Sequence, residues 1–408
     1  MKGFITKALH VTKQTKDIHG ALRMPIYENA AYEFASSAEF SDVSLGKIAK
    51  HVYSRSSNPT VEDFELHIKN LTNSLGVLAL GSGMAAVTNA ILTLVKAGDS
   101  VITTKYLFGH TLTFFQKTLS NMGVNVKFVN VLDEEEVKGA FDKSTKAFFL
   151  ETISNPQLEV ANLQNLSDIA HSHNVPFVVD TTMTPPYIFD AKKFGVDIEV
   201  LSSTKFISGG GTSVGGLIID HGLFDWNKID VLEDYYKKVG HFAFLYRARK
   251  EIFQGLGAVL SPTNAYLQTL GLETMVLRID RACQNALELA LWLQNKKEIK
   301  NINYPFLENS PFYELAKKQF RYAGSILTFE VESQEAAYKF MDNLKIVRRA
   351  TNLHDNKTLI VSPYHVIYPF NSHEEKMRLN IKPNMMRLSV GIEDIEDIKE
   401  DINQALIK

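Results

Sequence analysis

Between residues 75 and 203 the chain alternates short apolar runs with longer amphipathic ones. LGVLAL (75–80), SVITT (100–104), VKFVNV (126–131), KAFFLE (146–151), VPFVVD (175–180) and IEVLSS (198–203) have the length and the β-branched or aromatic content of buried strands. Helical patterns separate most of them: MAAVTNAILTLVKAG, HTLTFFQKTLSNMG, EEEVKGAF and LQNLSDIAHSHN. Apolar strands joined by helices call for an α/β fold with a mainly parallel sheet covered on both faces. Residues 1–58, rich in Tyr, Asn, Ser and Pro, lack this rhythm and are expected to form an extended N-terminal arm. Residues 59–250 are expected to form the large domain. From 251 to 408 a long helical stretch gives way to shorter strands and helices, expected as a smaller C-terminal α/β domain.

Composition narrows the class without choosing a function. A chain of 408 residues exceeds one compact core, which agrees with two domains. The balance of 44 basic and 46 acidic residues gives a formal charge of −2, and nothing in it recommends nucleic acid or an anionic membrane as partner. The single cysteine, Cys283, excludes an internal disulfide and any cysteine-based metal site. The N-terminus has no apolar export region and no apolar run approaches 18 residues, so a cytoplasmic location is expected. The HSH triplet (171–173) does not align metal ligands on one helix face, and no metal is expected.

The candidate chemistry collects at strand ends. Lys205, in LSSTKFISGGG, leaves a buried strand and stands between the hydroxyl residues Ser202 and Thr204 and a run of three glycines. GSGMA (81–85) closes one strand and opens a helix, where free N–H groups receive phosphate. Asn155-Pro156 follows the strand ending at Glu151, and Asp180 ends VPFVVD. Each feature alone has an ordinary reading as a turn or a cap. Together they fall at the carboxyl ends of strands in one sheet, where open α/β proteins bind ligands. A lysine, an acid, hydroxyls and a helix start are what pyridoxal 5′-phosphate needs: an amine for its aldehyde, a partner for its ring nitrogen, donors for its phosphate. Phe108 supplies an aromatic face for the ring.

These segments resemble the Cys/Met metabolism (cystathionine γ-synthase-like) pyridoxal-phosphate enzymes, a family of the fold-type I, aspartate aminotransferase-like architecture. The likeness runs through PIYENAAYEF, YSRSSNPTVEDFE, GSGMAAV, LFGHT, NPQLEVANL, VVDTT, LSSTKFISGGGTSVGG, LSPTNAYLQTLGLETMVLR and MMRLSVGIEDIEDI. The resemblance implies that Lys205 is the Schiff-base lysine and that Asp180 pairs with the pyridine nitrogen. It implies phosphate contacts from Gly83, Met84, Ser202 and Thr204, with Thr182 also in the cofactor set and Asn155 on the ring hydroxyl. Tyr53 and Arg55 would reach the phosphate of a neighbouring subunit, with Tyr53 a candidate proton carrier. Arg387 would clamp the substrate α-carboxylate, with Asn352 beside it. The enzyme would be a homo-oligomer with a dimer-built site, expected as a tetramer.

Within the family, HFAFLYRARKEIFQGLGAVLSPTNAYLQ and GGGTSVGGLIIDHGLFDW look more like O-acetylhomoserine sulfhydrylases than γ-lyases. That similarity implies replacement of a γ-acetoxy group by sulfide or a thiol, giving homocysteine or methionine and acetate. The alternatives are elimination from methionine, cystathionine or cysteine, and a catalytically silent cofactor-binding protein. Four positions depart from the family pattern: Phe108 where a tyrosine is usual, Thr181 in DTT, Gly210 in the glycine run, and Asn352 in place of a serine.

Overall fold

The computed structural model describes residues 3–10 and 17–407; residues 1–2 and 11–16 of the expected arm lie outside the described residues. Six of the expected strands are present: β1 (Gly76–Leu80), β2 (Ser100–Thr104), β3 (Asn125–Val129), β4 (Thr145–Glu151), β5 (Phe177–Asp180) and β6 (Ile198–Leu201). A seventh, β7 (Gly216–Asp220), completes a sheet ordered β1-β7-β6-β5-β4-β2-β3. β7 runs antiparallel to both its neighbours and every other pair is parallel.

Side chains alternate between two apolar layers. Val77, Ala79, Phe148, Leu150, Phe177 and Val179 face one core. Leu78, Leu80, Ala147, Phe149, Val178 and Val200 face the other. This two-faced burial explains why the strands read as continuous apolar runs. Helix Gly83–Leu94 covers the second face with Ala86, Val87, Ala90, Ile91 and Leu94.

A second sheet follows: β8 (Lys300–Asn303), β9 (Ile326–Glu330), β10 (Arg348–Arg349), β11 (Leu359–Val361) and β12 (Met385–Ser389), ordered β10-β11-β12-β9-β8. Its Leu327, Phe329, Met386 and Leu388 join the first core, so the two sheets share one apolar interior. Between them lies helix Pro262–Leu293, capped by the Ser261 hydroxyl, which accepts the Asn264 N–H. The arm contains short helices, Phe4–Leu9 and Ser37–Ser44, within otherwise irregular chain. The helix expected after β2 is divided into Gly109–Thr113 and a π-helical segment, Phe114–Leu119. No helix among the described residues is long and apolar enough to cross a membrane.

Candidate active site

The carboxyl ends of β4, β5 and β6 open into a cavity of about 310 Å³. Eight residues expected from the sequence line it: Gly83, Met84, Phe108, Asn155, Asp180, Thr182, Ser202 and Thr204, together with Lys205. Ser82 is the N-cap of helix Gly83–Leu94; its hydroxyl accepts the Ala85 N–H and its carbonyl accepts the Ala86 N–H. The N–H groups of Gly83 and Met84 are thereby left without an acceptor in the helix and point out of its start. A Cβ at Gly83 would lie 2.6 Å from the Ser202 Cβ, so only glycine lets this helix start approach the β6 end so closely.

Asp180 and Glu151 are register partners on β5 and β4, which places two acids side by side on the cavity floor. Burial pushes Asp180 up to about 6, against the N–H and hydroxyl of Thr182; Asp180 Oδ1 accepts that N–H at 2.8 Å. The Thr182 hydroxyl in turn accepts the Ser202 N–H at 2.8 Å, tying the β5 end to the β6 end. Glu151 is pushed well above the usual carboxylate range by burial and by Asp180. Its Oε1 accepts the Phe108 N–H at 2.7 Å and so fixes the loop that carries the aromatic ring.

Lys205 is held near 8, chiefly by burial and then by the positive charge of Arg387, with Asp355 opposing. Its Nζ donates to Asn352 Oδ1 at 2.7 Å. Arg387, 1% exposed on β12, donates to Asn155 Oδ1 at 3.0 Å and to the carbonyls of Thr351 and Asn352 at 3.2 and 3.3 Å. Its Nε is buried without an acceptor. Burial lowers the guanidinium to about 10, so it stays charged at neutral pH.

Three expectations meet a more specific geometry. The Thr204 hydroxyl donates to the Gly215 carbonyl at 3.2 Å and accepts the Gly215 N–H at 3.0 Å, so its proton is already engaged; the Ser202 hydroxyl has no such partner. Tyr53 and Arg55 do not line the cavity of their own chain: Tyr53 is 45% exposed and Arg55 donates to the Gln254 carbonyl at 3.1 Å. Thr181 turns away from the cavity and donates to Glu199 Oε1 at 2.5 Å behind the sheet. Glu151 and Asp355 were not among the residues expected at the site. Glu151 carried only the signal of a carboxylate ending an apolar strand, four residues before Asn155-Pro156.

A pyridoxal-phosphate enzyme of fold type I has this architecture, with a lysine at the end of a central strand and an acid on the next. The chain belongs to the Cys/Met metabolism PLP-dependent enzyme family, whose sequence model matches residues 5–407. A structure of an O-acetylhomoserine sulfhydrylase of Wolinella succinogenes, reported with a novel mechanism of sulfur transfer in the methionine biosynthetic pathway, is 58% identical over 99% of this chain and 100% of that one (TM-score 0.82). A putative O-acetylhomoserine (thiol)-lyase of Campylobacter jejuni is 31% identical, covers all of both chains with a TM-score of 0.93, and carries a pyridoxyl-lysine monophosphate at its position 205. L-methionine gamma-lyase of Fusobacterium nucleatum is 35% identical over 100% of this chain and 98% of its own.

The cavity fits pyridoxal phosphate on its own terms. It combines two free helix N–H groups and a hydroxyl for a phosphate, a buried acid without a cationic partner for a ring nitrogen, and a buried amine. When bound, the cofactor supplies an electron sink for carbanion chemistry at an amino acid.

Proposed function

We propose that the chain catalyses γ-replacement on O-acetylhomoserine, in which sulfide or a thiol takes the place of acetate to give homocysteine or methionine. The observation that carries this reading is the full-length, 58% identity to an O-acetylhomoserine sulfhydrylase, together with a cavity that no tyrosine lines among the described residues. Acetate leaves without help from an acid, whereas a thiolate needs a proton. A wall with Phe108 in place of a phenol suits the first leaving group better than the second.

The reading assigns each role to a named group. Arg387 binds the substrate α-carboxylate, for which a buried guanidinium forms paired hydrogen bonds. Lys205, with an amine near 8, takes and returns protons at Cα and Cβ near neutral pH. Asp180 faces the cofactor ring nitrogen, Phe108 covers its face, Asn155 meets its ring hydroxyl and Thr182 fixes Asp180. Gly83, Met84 and Ser202 take the phosphate, with Thr204 behind them. Tyr53 and Arg55, exposed on their own chain, reach the cofactor phosphate of a partner subunit and make the active unit a dimer within a homotetramer. The enzyme works in the cytoplasm, in keeping with a lone buried thiol at Cys283.

The test is a product assay that offers O-acetylhomoserine with sulfide beside methionine alone. Homocysteine formation is expected to be much the faster. Phe108→Tyr is expected to raise methionine elimination more than replacement, because a positioned acid contributes about 10² to 10⁴ in rate. Equal or faster turnover of methionine by the unmodified enzyme overturns the assignment in favour of a γ-lyase.

A further inference from the structure

The amine of Lys205 rests on a short chain of polar groups from the second sheet's side of the cavity. Lys205 Nζ donates to Asn352 Oδ1 at 2.7 Å, and Asn352 Nδ2 donates to Asp355 Oδ2 at 3.0 Å. An ammonium only donates and a carboxylate only accepts, so the amide between them has one orientation that satisfies both: carbonyl to the lysine, NH₂ to the aspartate. Asp355 therefore aims Asn352, and it also sets a negative charge one amide away from the amine.

The glycine run is shaped around the same segment. Gly210 and Gly211 have φ of 104° and 75°, a region that disfavours other residues. A Cβ at Gly210 would come within 2.6 Å of the Asn356 side chain, and one at Gly211 within 2.9 Å of Asp355 Oδ2. Asn356 Nδ2 also donates to the Gly209 carbonyl at 2.9 Å. Two departures from the family pattern, Gly210 and Asn352, thus belong to one interlocked contact between residues 209–211 and 352–356.

We propose that Asn352 and Asp355 form a docking post for the Lys205 amine, which it occupies whenever it is not bonded to the cofactor. This rests on the reading of Lys205 as the cofactor lysine. Proton transfer at Cα and Cβ requires the released amine to stay beside the substrate, and a fixed acceptor holds it there without loss of orientation. Asn352 contacts the amine directly. Asp355 acts through Asn352 and is a positioning residue. The ionisable groups that share this environment are Arg387 from β12, Asp355 beside the buried His354, and Asp180 and Glu151 from the β5 and β4 ends.

The test uses the cofactor-free protein. Competitive acetylation of Lys205 by acetic anhydride as a function of pH, read by peptide mass spectrometry, gives the protonation midpoint of the amine. Asp355→Ala is expected to lower that midpoint by on the order of one pH unit, and Asn352→Asp to raise it by a similar amount. Circular dichroism confirms that both variants fold. Midpoints that coincide with the unmodified protein in both variants overturn the docking post. Borohydride reduction of the loaded protein separates this failure from a deeper one: an adduct on a residue other than Lys205 removes the reading beneath the proposal, whereas an adduct on Lys205 with unmoved midpoints removes the docking post alone.

Discussion

The large sheet sets two acids in the cavity wall, and the small sheet sets a guanidinium behind the cavity's Asn155. From β4 and β5 come Glu151 and Asp180, buried, adjacent in register and without a cation at ion-pair distance among the described residues. From β12 comes Arg387, equally buried, bonded to an amide oxygen and two carbonyls but to no carboxylate. Buried charges without opposite partners cost stability. A protein built for stability alone would have paired Asp180 with Arg387. Holding them apart leaves each complementary to a bound molecule, the acid to a cationic ring nitrogen and the guanidinium to a carboxylate. The ligand completes both ion pairs.

The largest effect is expected at the group that both sheets face. Lys205→Ala should abolish turnover, since each lost acid–base role is worth about 10² to 10⁴ in rate. Mixing it with Arg55→Ala chains should restore part of the activity if each subunit completes its partner's site, as two-fold symmetry permits. Mixed dimers that form and stay inactive would end that idea. Next in size is Arg387→Ala. Removing one member of a buried charge pair costs about 2–5 kcal/mol. The corresponding fall in kcat/KM lies between about 30-fold and several-thousand-fold, with cofactor uptake retained. A fall smaller than tenfold (~1.4 kcal/mol) would mean that the carboxylate binds elsewhere.

The smallest effect concerns the acid side without ligand. Asp180 has a folded value of about 6 against about 3.9 in an unfolded chain, so the folded protein holds more protons between those values. Stability of the cofactor-free protein should therefore fall as pH rises from about 4 to 6 and then level off, by on the order of 1–3 kcal/mol. Asp180→Asn should flatten that fall, seen as a smaller loss of melting temperature between pH 4.5 and 7. An unchanged pH dependence would show that Asp180 is not buried as a lone charge.

Legibility in the sequence followed the range of the interactions. β2 was readable to the residue, because four of the five residues of SVITT are β-branched and the run is bounded by glycine-aspartate on one side and a loop on the other. β7 was hidden in GGLIID, where glycines on its flank read as continuing loop, and its antiparallel direction depends on where the chain re-enters the sheet. Helix Pro59–Thr72 follows polar chain that masked its Asn58 cap and its Val61, Phe64, Ile68 and Leu71 stripe. Gly83, Asn155, Asp180 and Lys205 could be placed in the sequence because each ends or follows a strand at a recognisable turn, while their cofactor roles rested on the family resemblance. Glu151 was not, since its partner is the N–H of Phe108, 43 residues earlier. The Lys205–Asn352 contact spans 147 residues and leaves no local pattern.

Helix Pro262–Leu293 carries a further consequence. Arg278 donates to the carbonyl of Phe206, next to Lys205, at 2.7 Å, and also to the Gly271 carbonyl at 2.6 Å. Seven residues on, Asn285 donates to the carbonyls of Gly391 and Glu393 at 3.1 and 2.8 Å, just past the strand that bears Arg387. One rod is thus bolted to the amine's loop at one point and to the guanidinium's strand about two helical turns, or ~10 Å, further along. Any motion that widens or narrows the space between lysine and arginine must bend this rod or shear one of its bolts. The reach from a substrate's α-carboxylate to its reacting carbons is accordingly gauged by a caliper, set by backbone carbonyls that take no part in the chemistry.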